Sequence, residues 1–205
     1  MAPAKRTEEE AERLRASLLE HAQRIVERAG PGALTMRALA AEAGCALGLP
    51  YTVFANREEI VGELTRAEYR RLRAEFDAFI RSAGTRTVGE NLWSYAELLL
   101  RSPAMGLAHE LHSAPAIADA VNAEAADIGL VEALVEAVAE YLAAEKGHGR
   151  VDPQIDEDAF AFLIAGAIHN LLMAGELYPQ PSAERLRAIL EAVAARLSPA
   201  GEKET

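Results

Sequence analysis

The sequence predicts an all-α protein, and three observations lead there. Nearly every segment of the 205 residues repeats its apolar residues at helical period, and none alternates them as a strand would. Helix-starting and helix-stopping residues recur at short intervals, so the connections are short. The composition, half hydrophobic and 26% charged, is that of an ordinary globular chain and excludes a disordered or collagen-like protein.

The elements follow in order. Thr7-Glu8-Glu9-Glu10 is a capping box, in which a hydroxyl and a carboxylate each satisfy a free backbone N–H. It opens a helix with Leu14, Leu18, Ala22, Ile25 and Ala29 on one stripe, ended by Gly30-Pro31. Thr35 caps a second, short helix with Met36, Leu39, Ala40 and Ala43 inward, stopped at Gly44. A third covers roughly Leu47 to Val53. Asn56-Arg57-Glu58-Glu59 opens a long fourth helix reaching Ile80. Its apolar stripe changes face: Ile60 and Leu64 share one side, while Tyr69, Leu72, Phe76 and Ile80 lie roughly 100° or more around the axis. Such a helix links two cores, which gives an N-terminal domain over 1–55, a C-terminal domain over 56–200 and a disordered tail over 201–205.

Thr87-Val88-Gly89-Glu90 caps a fifth helix, and Ser102-Pro103 places proline at the start of a short sixth. A long seventh is predicted from about Pro115 to Glu145, an eighth opened by Asp152-Pro153, and a ninth capped by Ser182. The eighth is apolar all round. Phe160, Leu163, Ile164, Ala167 and Leu171 take one side, and Phe162, Ala165, Gly166 and Met173 the other. A helix of this kind is buried on both sides. A homodimer contact through Phe160, Ile164, Ala167 and Leu171, completed by Leu186, Leu190 and Val193 of the ninth helix, is one solution. A central core helix of a monomer is the other.

Charge and motif content exclude several classes. Residues 1–66 hold 9 Lys and Arg against 10 Asp and Glu, a balance of −1, whereas residues 67–205 hold 12 against 22, or −10. Only the N-terminal third can concentrate positive charge for a polyanion. No apolar run approaches the ~20 residues a bilayer needs, and acidic residues from Glu8 onward leave no secretory segment. A cytoplasmic protein with no membrane partner is expected. No Gly-rich phosphate loop, G-x-S-x-G elbow or H-E-x-x-H pair is present. The protein is therefore read as no enzyme, with no catalytic residues, metal or cofactor.

Residues 35–54, TMRALAAEAGCALGLPYTVF, carry the function. Ala40 lies four residues before Gly44, and a second short helix follows. That is the pattern of a helix-turn-helix, with a small residue where the helices cross and glycine where the turn needs positive φ. The arrangement holds the second helix out to enter a DNA major groove. Cys45 at the turn reads either as a small apolar stand-in for valine or as a redox switch.

The wider pattern is T-x3-L-A-x2-A-G, then G-x2-Y-x2-F, then Arg-Glu-Glu-Ile opening a long helix. Carried here by Thr35, Leu39, Ala40, Ala43, Gly44, Gly48, Tyr51, Phe54, Arg57, Glu58 and Ile60, it resembles the tetracycline-repressor (TetR) family over about residues 10–62. The resemblance implies a homodimeric transcriptional repressor that binds a palindromic double-stranded DNA operator and is released by a small-molecule effector. It implies DNA contacts from Thr35, Arg37, Leu47, Gly48, Tyr51, Thr52 and Arg57, with Arg57 placing a cation on phosphate. Lys5 and Arg6 would add nonspecific contacts.

Three residues depart from that pattern. Ala46 replaces a capping serine worth about 1 kcal/mol. Pro50 removes an N–H and clashes with the preceding turn unless it lies in the first one. Val53 replaces a side chain that would touch phosphate. These departures support an alternative, a TetR-like helical interaction or sensor protein with weakened or lost specific DNA binding. In the C-terminal domain, Phe76, Trp93, Met105, His109, His112, Asn170 and Met173 are candidate walls of an effector cavity, apolar with a few oriented polar groups. His109-x2-His112 with His169 could instead ligate a metal, a weaker reading without cysteine or acidic partners.

Overall fold

The computed structural model describes residues 8–173 and 179–199, and every regular element among them is helical. Nine α-helices are described: α1 (Glu8–Ala29), α2 (Met36–Glu42), α3 (Arg57–Ile80), α4 (Val88–Arg101), α5 (Ala104–His109), α6 (Pro115–Asp127), α7 (Leu130–Gly147), α8 (Glu157–Met173) and α9 (Ala183–Leu197). Short 3-10 turns occupy Pro31–Ala33, Pro50–Thr52 and Glu110–Ser113. The Thr7 cap, the Lys5-Arg6 arm and the 201–205 tail lie outside the described residues.

The chain forms two compact units. One contains Met1–Tyr69 and Pro103–Ala125, the other Arg70–Ser102 and Ala126–Thr205. In the first, Leu18, Ala22 and Ile25 of α1 meet Leu39 of α2, Phe54, and Ile60, Val61 and Leu64 of α3. Leu107, Leu111 and Val121 complete this core from a stretch remote in sequence. Full burial of each of the larger side chains among these contributes roughly 1.5–3 kcal/mol. Helices α3 and α6 approach so closely at Gly62 that a Cβ there would lie 2.7 Å from Ile117 Cγ2.

The second unit centres on aromatic rings. Phe76 and Phe79 of α3 meet Tyr95 with centroids 5.9 and 5.0 Å apart, and Phe79 stacks on Tyr141 at 4.4 Å. The Tyr95 hydroxyl donates to the Leu134 carbonyl at 2.6 Å. Helix α7 packs on α8, and α4 on α9. The fully buried Glu145 accepts from Arg150 Nε and Nη2 at 2.7 and 2.5 Å, and from the Gly84 N–H at 3.3 Å. Burial opposes its ionisation, but Arg150 and that N–H outweigh it and hold the carboxyl below the usual range.

Helix α3 does serve two cores: Ile60, Val61 and Leu64 enter the first, and Phe76 and Phe79 belong to the second. Tyr69, grouped with the later face in the sequence, packs on the first core.

Three elements differ from the sequence reading. The long seventh helix is two helices, because Gly129 adopts the left-handed region at φ 60° and ends the run after Asp127. The eighth begins at Glu157, with the Asp156 carboxylate accepting from the Ala159 N–H at 3.0 Å. The third is not an α-helix. It is a turn followed by the 3-10 stretch Pro50–Thr52, since proline has no N–H to give a carbonyl four residues back.

Candidate nucleic-acid interface

The helix-turn-helix is built by local geometry. Thr35 Oγ1 accepts from the Ala38 N–H at 3.0 Å and caps α2, whose Met36, Leu39 and Ala40 are buried. Gly44 then turns the chain at φ 61°, where any side chain would be strained. From Ala46 onward the backbone closes in tight turns. The N–H groups of Leu49, Thr52 and Val53 donate to the carbonyls of Ala46, Leu49 and Pro50, and the Phe54 N–H also reaches Pro50. The buried Pro50 sits at the start of its 3-10 turn, where its missing N–H costs little. The predicted third helix is therefore replaced by a tighter, shorter run.

Arg15 of α1 fixes the far end of this run, a role the sequence reading missed. It donates to the Val53 carbonyl at 2.7 Å and to Glu59 at 2.6 Å, and its guanidinium lies 4.4 Å from the Phe54 ring centre. Burial disfavours the Glu59 carboxylate, yet the Ala55 N–H and Arg15 hold it below its usual range. The one signal in the sequence was an arginine flanking the apolar stripe of the first helix.

The exposed surface of this region is almost neutral. Residues 43–56 contain no Asp, Glu, Lys or Arg. Thr35, Arg37, Leu47, Gly48, Tyr51 and Thr52 are all exposed, with Leu47 at 48% and Tyr51 at 54%. The Thr52 hydroxyl donates to the Leu49 carbonyl at 2.7 Å. Among the described residues from 8 to 69, Arg13, Arg15, Arg24, Arg28, Arg57 and Arg66 all lie within ion-pair distance of carboxylates, and Arg37 alone does not.

Arg57 corrects the sequence reading. Its guanidinium turns inward to the Leu34 carbonyl at 2.5 Å, the Pro31 carbonyl at 3.1 Å and Glu110 at 2.6 Å. The cation assigned to phosphate is already neutralised within the unit. Glu110 lies 53 residues along the chain, so no local pattern pointed to it.

The seven cavity candidates are divided between the two units. Met105, His109 and His112 are exposed and belong to the first unit, whereas Phe76, Trp93, Asn170 and Met173 belong to the second. Phe76 is wholly buried, and Asn170 and Met173 are exposed on α8. Helical spacing placed these residues on shared faces but could not show which faces meet. His112 Nδ1 donates to the His109 carbonyl at 2.8 Å, and no cluster of three or more metal-ligating side chains occurs among the described residues. Trp93 does line a groove of about 240 Å³ with Leu100, Leu171, Pro181 and Leu186, rimmed by the Glu97–Arg101 pair.

The dimer candidates divide similarly. Ile164, Leu186 and Leu190 are buried within the chain itself, Phe160, Leu171 and Val193 are half-buried, and Ala167 is exposed. The largest exposed apolar side chains of α8 are Phe162 at 68%, Leu163 at 62% and Met173 at 56%.

No family model and no curated relative matches the sequence. Solved structures do match along nearly its whole length. A TetR-family regulator from Agrobacterium tumefaciens shares 13% identity over 92% of this chain and 100% of that one, with a TM-score of 0.60. Another, from Pectobacterium atrosepticum, shares 21% over 94% and 98%, with a TM-score of 0.58. The chain has the TetR fold. The transcriptional regulator FadR from Bacillus subtilis, in complex with stearoyl-CoA, also matches, at 18% identity over 90% of this chain and 97% of that one, with a TM-score of 0.52. Within the TetR fold, the helix-turn-helix of residues 35–54 occupies the first unit. No described helix is long and apolar enough to cross a membrane.

Proposed function

We propose that this chain is a transcriptional regulator of the TetR type, a repressor that binds a palindromic operator as a homodimer and is released by a small molecule. One observation carries the reading: an exposed, uncharged run with Leu47, Gly48 and Tyr51 outward, clamped by α2 and Arg15. An acidic chain with a net charge of −11 meets DNA only where its own carboxylates are absent or paired. Residues 43–56 satisfy that condition.

In this reading Thr35 offers phosphate its hydroxyl proton, because the oxygen already accepts from Ala38. Arg37 supplies the cation, Leu47, Gly48 and Tyr51 enter the groove, and Thr52 lies beside them. Arg57 holds the unit together. The dimer forms through the exposed face of α8, with Phe162, Leu163, Gly166, Ala167 and Met173. The effector enters the groove beside Trp93, as FadR accommodates an acyl-CoA in the same fold. It acts by preferring the arrangement that does not bind DNA.

The pairing of every arginine but Arg37 among the described residues from 8 to 69 favours a second reading, a TetR-like interaction or sensor protein without specific DNA binding. Selection of bound duplexes from a random-sequence pool separates the two. Enrichment of an inverted repeat supports the regulator, and no enrichment at any salt concentration overturns it.

A further inference from the structure

The side chains facing outward from the helix-turn-helix define what kind of base edge it can read. We infer that Leu47 and Tyr51 recognise thymine through its C5 methyl group, so that the operator is selected by apolar contact rather than by paired hydrogen bonds. The inference rests on the DNA-binding reading above and names the chemistry of its target.

The hydrogen-bonding inventory leads to this conclusion. Bidentate recognition of guanine or adenine requires Arg, Lys, Asn or Gln at the groove. None occurs between residues 43 and 55. Asn56 is committed, its side-chain oxygen accepting from the Glu59 N–H at 2.9 Å. The Thr52 hydroxyl proton goes to Leu49, the backbone N–H groups of Leu49, Thr52, Val53 and Phe54 are internally bonded, and Pro50 has none. The side chains that the run presents are Leu47 and the Tyr51 ring with its hydroxyl, both exposed and four residues apart in sequence.

Gly48 stands between them, and a Cβ there would meet nothing within 4 Å, so the surface is open for close approach. The major groove displays one apolar group, the thymine methyl. A protein partner is the competing occupant of an exposed Leu–Tyr pair. Against it stand the absence of acidic side chains from 43–56 and the unpaired cation of Arg37, which favour a polyanion.

The test compares the duplex enriched by the full-length chain with the same duplex synthesised with deoxyuridine in place of thymidine, which removes only C5 methyls. Affinity is expected to fall about four-fold for each contacted methyl, the equivalent of ~0.8 kcal/mol per buried carbon. Leu47→Ala, at an exposed position that should leave the melting temperature unchanged, is expected to narrow the difference between the two duplexes, and the double variant Leu47→Ala, Tyr51→Ala to abolish it. Equal affinity of the unaltered protein for the two duplexes, with scrambled DNA still rejected, would overturn methyl recognition and leave the regulator reading intact. Failure to enrich any duplex overturns both.

Discussion

Arg57 Nη2 meets Glu110 Oε2 at 2.6 Å, joining the start of α3 to the turn that follows α5. The same guanidinium takes two carbonyls from the segment preceding α2. A single side chain thus ties together three stretches around the helix-turn-helix. Arg57→Ala leaves a partly buried carboxylate and two carbonyls without that donor, at a cost of about 2 kcal/mol. Calorimetry should show melting lowered by roughly 4–8 °C. The salt dependence of DNA binding should not change, because this cation does not reach phosphate.

Arg37 should behave in the opposite way. It is exposed and holds no carboxylate, so Arg37→Ala should leave melting unaltered. If each protomer's Arg37 neutralises one phosphate, the slope of log affinity against log salt should become shallower by about two for the dimer. An unchanged slope in a titration series would remove Arg37 from the interface.

Substitutions on α8 should separate by face. Phe162→Glu or Leu163→Arg places charge on a surface already exposed in the protomer, and sedimentation should show a folded monomer. Ile164→Glu buries a charge at a site 5% exposed and should unfold the second unit instead. A dimer that persists with Phe162→Glu would move the interface elsewhere.

Glu145 ties acid sensitivity to a particular pair. Its folded-state pKa is lowered, so its contribution to stability is complete above the unfolded value of about 4.3 and is lost as pH falls through the lowered value. Glu145→Gln removes that dependence and leaves Arg150 without its carboxylate, costing roughly 1–3 kcal/mol. Urea unfolding of the variant at pH 3–7 should give a flatter acid limb than that of the unaltered protein.

The fold was legible because its signals are local. Thr35, Gly44, Thr87 and Ser182 mark helix ends by chemistry confined to four residues, and each does so in the structure. Gly129 carried a comparable signal, but apolar residues on both sides made the run read as continuous. Within the candidate site, the sequence made legible only exposure set by turn geometry, as at Leu47 and Tyr51. Arg57 and Glu110, or Arg15 and Glu59, depend on which remote helix arrives alongside, and periodicity along one helix carries no such information. The division of the cavity candidates between the two units and the burial of Ile164 within its own protomer were hidden for the same reason.

Fluorescence anisotropy of the enriched duplex, titrated with full-length protein at two salt concentrations against excess scrambled DNA, tests the central claim most directly. The account predicts saturation at two protomers per duplex, surviving both the competitor and the higher salt. Binding displaced equally by scrambled DNA, or erased by salt, would contradict it and leave the helix-turn-helix as a scaffold without an operator.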